Sequence, residues 1–367
     1  MCSKIKDRFI LTTTLVLLSF HPANALTGPC ENCHTMHSSQ NGIEEAPEYF
    51  LQNITCWDCH GRGISENIDP VNGTPQVRHL HIADLAGGNF AYITGDKQGI
   101  TGNNMTRGHN MKFIDETDTN FSGGAYPPGD QYGNVDAGLT NSTFTCAGKF
   151  GCHGDRTIED EYAAVNGAHH YNDRALKFGS IDMNSQALTG GTLGEQVGSS
   201  YRFLKGVKGG EDPDWHATVD LTDHNEYFGT STAGQGSRTA PAGGTISGFC
   251  AECHGYFHGA GAIGSDTSSA IWIRHPTDIS LPGGESEYAG YTTYSIDVPV
   301  ARTEIPQSPK GTVDPGGMID DIVMCLSCHV AHASPYADLL RFNYDDMIAG
   351  DSSKQGGCFT CHTTKNR

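Results

Sequence analysis

Cys325-Leu326-Ser327-Cys328-His329-Val330-Ala331-His332 is the stretch whose reading decides the architecture of the chain. Its first five residues return as Cys358-Phe359-Thr360-Cys361-His362, 33 positions later. C-x-x-C-H is the attachment sequence of c-type haem. Two thiols within one helical turn reach the two vinyl groups of a porphyrin, and the histidine after them is placed to bind the iron from the proximal side. His332 stands three residues beyond His329, near the same face of a helical turn but one step along. That placement suits the distal ligand of a neighbouring haem.

Three further copies occur: Cys30-Glu31-Asn32-Cys33-His34, Cys56-Trp57-Asp58-Cys59-His60 and Cys250-Ala251-Glu252-Cys253-His254. Zinc knuckles also use C-x-x-C pairs, but zinc does not require a histidine directly after the second cysteine. With only 18 histidines in 367 residues, five such placements do not arise by chance, and haem is the reading. A sixth site is irregular: Cys146-Ala147-Gly148-Lys149-Phe150-Gly151-Cys152-His153 puts five residues between its thiols. The extra residues, two of them glycine, are expected to bulge out and leave both sulfurs in reach of one ring. A single-thioether haem, or no haem, is the alternative there.

The remaining chain is consistent with export. Lys4, Lys6 and Arg8 precede a mostly apolar run over 9–20, and Ala23-Asn24-Ala25 is an A-x-A cleavage site, so 1–25 reads as a secretory signal. The apolar run is too short to span a bilayer and no other run approaches its length, so no membrane span is expected. Of 13 cysteines, Cys2 leaves with the signal and the other twelve supply two per haem for six c-type haems. None remains for a disulfide. The formal charge is −19, a surface that repels nucleic acid and steers a basic redox partner, or simply keeps the chain solvated.

With 47 glycines and short, interrupted apolar periodicity, neither long helices nor a continuous sheet is expected. The fold class is an irregular multihaem cytochrome c: a haem-packed core, short helices at the C-x-x-C-H motifs, long loops and a few β-hairpins. Tyr291–Val300 and Ser199–Val207 are the best strand candidates. Residues 26–367 form one domain, with doubled haem modules at 30–60 and 325–362. The segments 61–145 and 154–249 are long for loops and must wrap the haem core.

Proximal iron ligands are His34, His60, His153, His254, His329 and His362. Distal candidates, in order, are His37, His332, His275, His109, His169, His79, His224 and His258; His81, His170 and His216 read as partners or surface groups. The eight methionines show no ligand motif, which favours low-potential bis-histidine sites. Gly259-Ala260-Gly261-Ala262-Ile263-Gly264 matches G-x-G-x-x-G but follows a haem motif rather than a strand, so a dinucleotide site is rejected. Asp115, Asp118 and Asn120 lack the EF-hand pattern of a calcium loop.

With these residues in view, the chain resembles the doubled C-x-x-C-H multihaem cytochromes of bacteria that respire metals. The resemblance rests on the six motifs, the C-H-x-x-H pairs at His34/His37 and His329/His332, and the tail Ser334-Pro335-Tyr336-Ala337-Asp338-Leu339-Leu340. Tyr201-Arg202-Phe203-Leu204 and Asp223-His224-Asn225-Glu226-Tyr227 add to it. It implies closely spaced low-spin haems that pass electrons in the periplasm or outside the cell. The implied partners are other redox proteins, copies of the chain itself in a filament, or an external acceptor such as a metal oxide. An electron carrier without substrate chemistry is therefore expected. The rivals are a multihaem reductase of a small nitrogen or sulfur oxyanion, which needs one iron with an open distal position, and a haem store or electron buffer. No C-x-x-C-K marks such an open site.

Overall fold

The structure is a computed structural model describing residues 39–40, 43–44, 55–71, 73–97, 105–114, 127–128, 138–165, 197, 200–212, 221–231, 244–254, 275–284, 286–306, 308–317 and 321–367. The signal segment, the motif at Cys30–His34, and His37, His169 and His258 lie outside these residues, as do Asp115, Asp118, Asn120 and 259–264.

Regular structure is sparse and starts where cysteine motifs start. Helix α1 (Cys56–His60) is opened by Thr55, whose amide donates to the Asp58 carboxylate at 2.8 Å. Two further short helices are α2 (Ala91–Thr94) and α3 (Glu161–Ala164). Helix α4 (Ile246–Ala251) carries Cys250 near its end and is capped by Thr245, whose hydroxyl accepts the Gly248 amide at 2.9 Å. A 3-10 turn over Cys325–Ser327 and helix α5 (Cys358–Cys361) hold the last two motifs. The caps satisfy first-turn amides that a helix of four to six residues cannot satisfy internally. Among the described residues no helix is long and apolar enough to cross a membrane.

Strands are two or three residues long. A small antiparallel pair joins β1 (Ser39–Gln40) to β2 (Ile43–Glu44). The other five are β3 (Gly209–Gly210), β4 (Glu226–Phe228), β5 (Ile279–Ser280), β6 (Ala301–Arg302) and β7 (Asp321–Val323). They form one sheet in the order β3-β4-β6-β7-β5. Its neighbours are antiparallel except β4 and β6, which run parallel with Tyr227 opposite Ala301. The β1–β2 pair is one of the expected hairpins, whereas the five-stranded sheet is assembled from distant segments. Gly209 is required at its edge, since a Cβ there would lie 2.8 Å from the Tyr201 ring.

Neither expected strand forms. Tyr201–Phe203 is a 3-10 turn containing left-handed residues, and Leu204 makes only an isolated bridge. Across 291–300 only Thr293 is bridged, because the Tyr291 hydroxyl folds the segment on itself by donating to the Val298 carbonyl at 2.5 Å. Aromatic and β-branched content there serves burial, not pleating.

Three apolar clusters each back a motif cysteine. Tyr201, Val207, Tyr227, Ile246 and Ile322 pack behind Cys152. Leu281, Tyr291, Tyr294, Val300 and Val323 pack behind Cys361. Phe90, Ile93, Met111 and Ala333 pack behind Cys146. Under the sheet lies a buried ion cluster. Arg302, 1% exposed, meets the Glu226 carboxylate at 3.1 Å and also bonds Asp321; the Lys310 and Thr312 carbonyls take its remaining donors at 2.9 and 3.0 Å. The Lys310 amide donates to Glu226 at 2.7 Å and the Asp314 amide to Asp321 at 2.6 Å, so both carboxylates are hydrogen-bonded as well as paired.

Candidate haem centres

The backbone of each described motif brings its cysteines and histidine to one face by the same device. In the 250 motif the Cys253 and His254 amides both donate to the Cys250 carbonyl, at 3.2 and 2.9 Å. In the 325 motif the Cys328 and His329 amides do so to Cys325, at 3.2 and 3.0 Å, and the His362 amide reaches Cys358 at 2.9 Å. The irregular motif reproduces this pattern: Cys152 and His153 donate to the Cys146 carbonyl at 3.0 and 2.9 Å. Its extra residues loop outward, with Gly148 at φ +79° and the Gly151 amide bonded back to the Gly148 carbonyl at 2.9 Å. No helix forms at this irregular motif.

The ring nitrogens are prepared for metal. A ligating histidine donates its second ring N–H to an acceptor, which fixes the tautomer and leaves the lone pair on Nε2. Nδ1 of His60 donates to the Pro75 carbonyl at 2.8 Å, His153 to Arg202 at 2.9 Å, His254 to Pro128 at 2.6 Å and His329 to Asp338 at 2.7 Å. Among the distal candidates, His109 donates to Ala331 at 2.7 Å and His275 to Pro276 at 2.9 Å. His362 differs: its Nδ1 lies 3.3 Å from the Glu287 carboxylate, which also faces Lys365 at 3.3 Å. Burial opposes ionisation of Glu287, but Lys365 and His362 outweigh it and hold the carboxyl below its usual range. An anionic acceptor gives the imidazole more imidazolate character than a carbonyl does and favours ferric iron. Glu287→Gln is therefore expected to raise the midpoint potential of one haem, read by spectroelectrochemical titration; unchanged titration curves would remove Glu287 from this role.

Three imidazole pairs stand at one separation. Ring centroids are 6.1 Å apart for His109 and His254, 6.2 Å for His153 and His332, and 6.2 Å for His275 and His362. An iron about 2 Å from each of two ring nitrogens places the centroids roughly 6 Å apart, so the three pairs fit bis-histidine haem. Burial, then His153 and His109, pushes the His332 imidazole down to about 3; burial, then His254, pushes His109 to about 4. Both are therefore neutral, the form that ligates metal. His332 also stacks on Phe90 at 5.0 Å, and Gly87 makes room for it, since a Cβ there would lie 2.8 Å from its Nδ1.

Two distal candidates are placed elsewhere. His224 stacks on Tyr294 at 4.1 Å and its Nε2 meets Glu226 at 3.2 Å, so the nitrogen an iron would need is turned into the ion cluster. His79 is buried beside Asn89 and Asp84, and the imidazole it meets is His81 at 6.4 Å, not a proximal ring. The Glu226 contact was available to sequence reasoning as an i, i+2 pair on one strand face; Glu287 and the carbonyl acceptors carried no signal.

The thiols line up motif to motif. Cys56 lies beside Cys146, and Cys325 beside Cys250. Cys152 lies close enough to perturb Cys250, and Cys358 and Cys328 are similarly near. Arg156 pairs with Glu252 at 2.5 Å and the Cys325 amide donates to Ser247 at 3.1 Å, which ties the same neighbours together. The described motifs are thus contiguous in chain order.

Residues 320–367 match the family model described as the doubled CXXCH motif. That match covers the last two motifs, and the other C-x-x-C-H motifs extend the same pattern along the chain. The chain is similar to the C-type cytochrome OmcS of Geobacter sulfurreducens, at 22% identity over 399 residues covering 94% of this chain and 85% of that protein. Two solved structures also align. One is described as the Outer Membrane Cytochrome S filament from Geobacter sulfurreducens (TM-score 0.39, 19% identity, 89% of this chain, 85% of that one). The other is described as OmcS nanowires from the same organism (TM-score 0.46, 20% identity, 95% and 92%).

Proposed function

We propose that the chain carries six c-type haems in an unbroken row and conducts electrons along them outside the cytoplasm. The supporting observation is the succession of thiol neighbours through the motifs at 56, 146, 250, 325 and 358, in sequence order. Adjacent thiols belong to adjacent porphyrin edges, and short edge-to-edge separation is what electron hopping needs. The row is held by the proximal ligands His60, His153, His254, His329 and His362, with His34 at its start. His332, His109 and His275 serve as distal ligands to the irons at His153, His254 and His362. The irons at His34, His60 and His329 draw theirs from His37, His169 and His258. The haems supply the redox chemistry; the protein fixes their ligands, spacing and dielectric surroundings.

Export through the 1–25 signal, a single domain over 26–367, and end-to-end association of copies complete the reading; redox proteins or an external oxide are its terminal partners. Mass spectrometry of the intact holoprotein tests the count: a mass corresponding to six haems is expected, and five would remove the haem at Cys146 and Cys152. Electron microscopy at high concentration tests association, with dispersed monomers as the adverse outcome. The reductase alternative predicts a high-spin iron in the unmodified protein, whereas the conductor predicts low-spin signals throughout.

A further inference from the structure

Four of the five non-glycine residues with positive φ among the described residues fall in two adjacent pairs: Arg202 (48°) with Phe203 (61°), and Asp338 (58°) with Leu339 (57°). Left-handed backbone is unfavourable for L-residues, two in succession more so. Such strain persists where surrounding structure imposes it, and it concentrates at functional positions. Both pairs do the same thing. The first carbonyl accepts a proximal imidazole, Arg202 from His153 at 2.9 Å and Asp338 from His329 at 2.7 Å. The second carbonyl accepts the amide of the next motif residue, Phe203 from Gly154 at 2.6 Å and Leu339 from Val330 at 2.9 Å. The following leucine is bridged to the motif backbone, Leu204 to Gly154 in parallel sense and Leu340 to His329 in antiparallel sense. Each turn is closed by an i→i+3 bond, Leu204 to Tyr201 at 2.8 Å and Leu340 to Ala337 at 3.3 Å.

We propose that Tyr201–Leu204 and Ala337–Leu340 are two copies of one positioning device, a double left-handed turn that clamps a proximal histidine. It fixes the imidazole plane and keeps a carbonyl on its Nδ1–H. The inference rests on the reading of His153 and His329 as iron ligands, and it assigns a role to two sequence stretches that the motifs alone leave unexplained. Two successive left-handed residues turn consecutive carbonyls toward the motif, so that one meets the ring and the other the backbone beyond it. Neither copy is left to hold itself. The buried Glu211 carboxylate accepts the Arg202 amide, while Arg341 donates to the Leu326 and His329 carbonyls at 2.7 and 2.9 Å. Among the other described proximal histidines, His60 donates to the Pro75 carbonyl, His254 to the Pro128 carbonyl, and His362 faces the Glu287 carboxylate.

A carbonyl that holds Nδ1–H strengthens imidazole donation and stabilises ferric iron, so a slackened clamp raises the potential of the haem it serves. Asp338 is exposed, which allows the backbone to be tested apart from packing. In holoprotein, Asp338→Asn and Asp338→Gly remove the charge but keep a residue that tolerates the left-handed region. Asp338→Val and Asp338→Thr remove the same charge with β-branched residues that resist it. The expected result is that Asn and Gly share one set of potentials and low-spin EPR g-values. Val and Thr then move one haem to higher potential and alter its g-anisotropy, with haem content unchanged. Identical potentials and g-values across all four would overturn the clamp. If peptide mapping of the unmodified protein finds no haem on the fragment bearing Cys325 and Cys328, the ligand reading itself fails, and the two failures are thereby distinguished.

Discussion

His332→Ala converts one haem per chain from low-spin to high-spin, visible in low-temperature EPR of the oxidised protein, and lets that iron bind small anions. His332 is half-buried against Phe90 and over Gly87, so its removal opens space beside the His153 ring. On the proposed pairing, the iron affected would be the one at His153, whose ring lies 6.2 Å away, rather than the one at His329 in the motif that carries His332. His224→Gln should leave the spin state alone, since the His224 ring is engaged by Glu226 and Tyr294. A wholly low-spin His332→Ala spectrum, or a high-spin His224→Gln spectrum, would reverse this ligand assignment.

The largest stability loss is expected from Arg302→Met. Methionine matches much of the aliphatic volume but leaves the Glu226 and Asp321 carboxylates buried without a counter-cation. Breaking a buried pair by removing one partner costs about 3–5 kcal/mol. Glu226 and Asp321 are both inside the sheet, so water cannot readily replace the guanidinium. Guanidinium chloride denaturation of the holoprotein, followed by haem absorbance and far-UV dichroism, should show the midpoint falling sharply. A loss within about 0.5 kcal/mol, as for an ordinary surface substitution, would mean that the cluster does not hold the sheet.

How much of this was readable from residues depends on range. The C-x-x-C-H motifs are local: thiols and imidazole reach one face through bonds spanning four residues, and the pattern announces itself. The 146 motif is also local, and its two glycines mark the loop that restores the same geometry. The sheet is not local. Strands of two or three residues are too short to repeat the two-residue alternation, so Tyr291–Val300 and Ser199–Val207 attracted attention by composition while the actual strands passed unnoticed. Ligand pairing is longer in range again. The spacing singled out His332, but only the folded chain shows it facing His153 across 179 positions of sequence. His224 looked equivalent as a lone histidine between polar residues; Glu226 decides otherwise. The strained turns at Arg202 and Asp338 have no compositional signature, since neither uses glycine where glycine is the ordinary choice.

The segment after His329 gives the molecule a temporal order. His332 donates its amide to the Gly87 carbonyl at 2.7 Å, Asn89 donates to Ala333 at 2.9 Å, His109 to His332 at 3.0 Å, and Ser334 to Arg107 at 2.9 Å. A ribosome makes residues 87–109 well before 330–334. The earlier segment's backbone groups and imidazole neighbours therefore stay incomplete until the later one arrives. Truncation near the C-terminus would not trim one end of a modular array; it would leave the beginning unfinished.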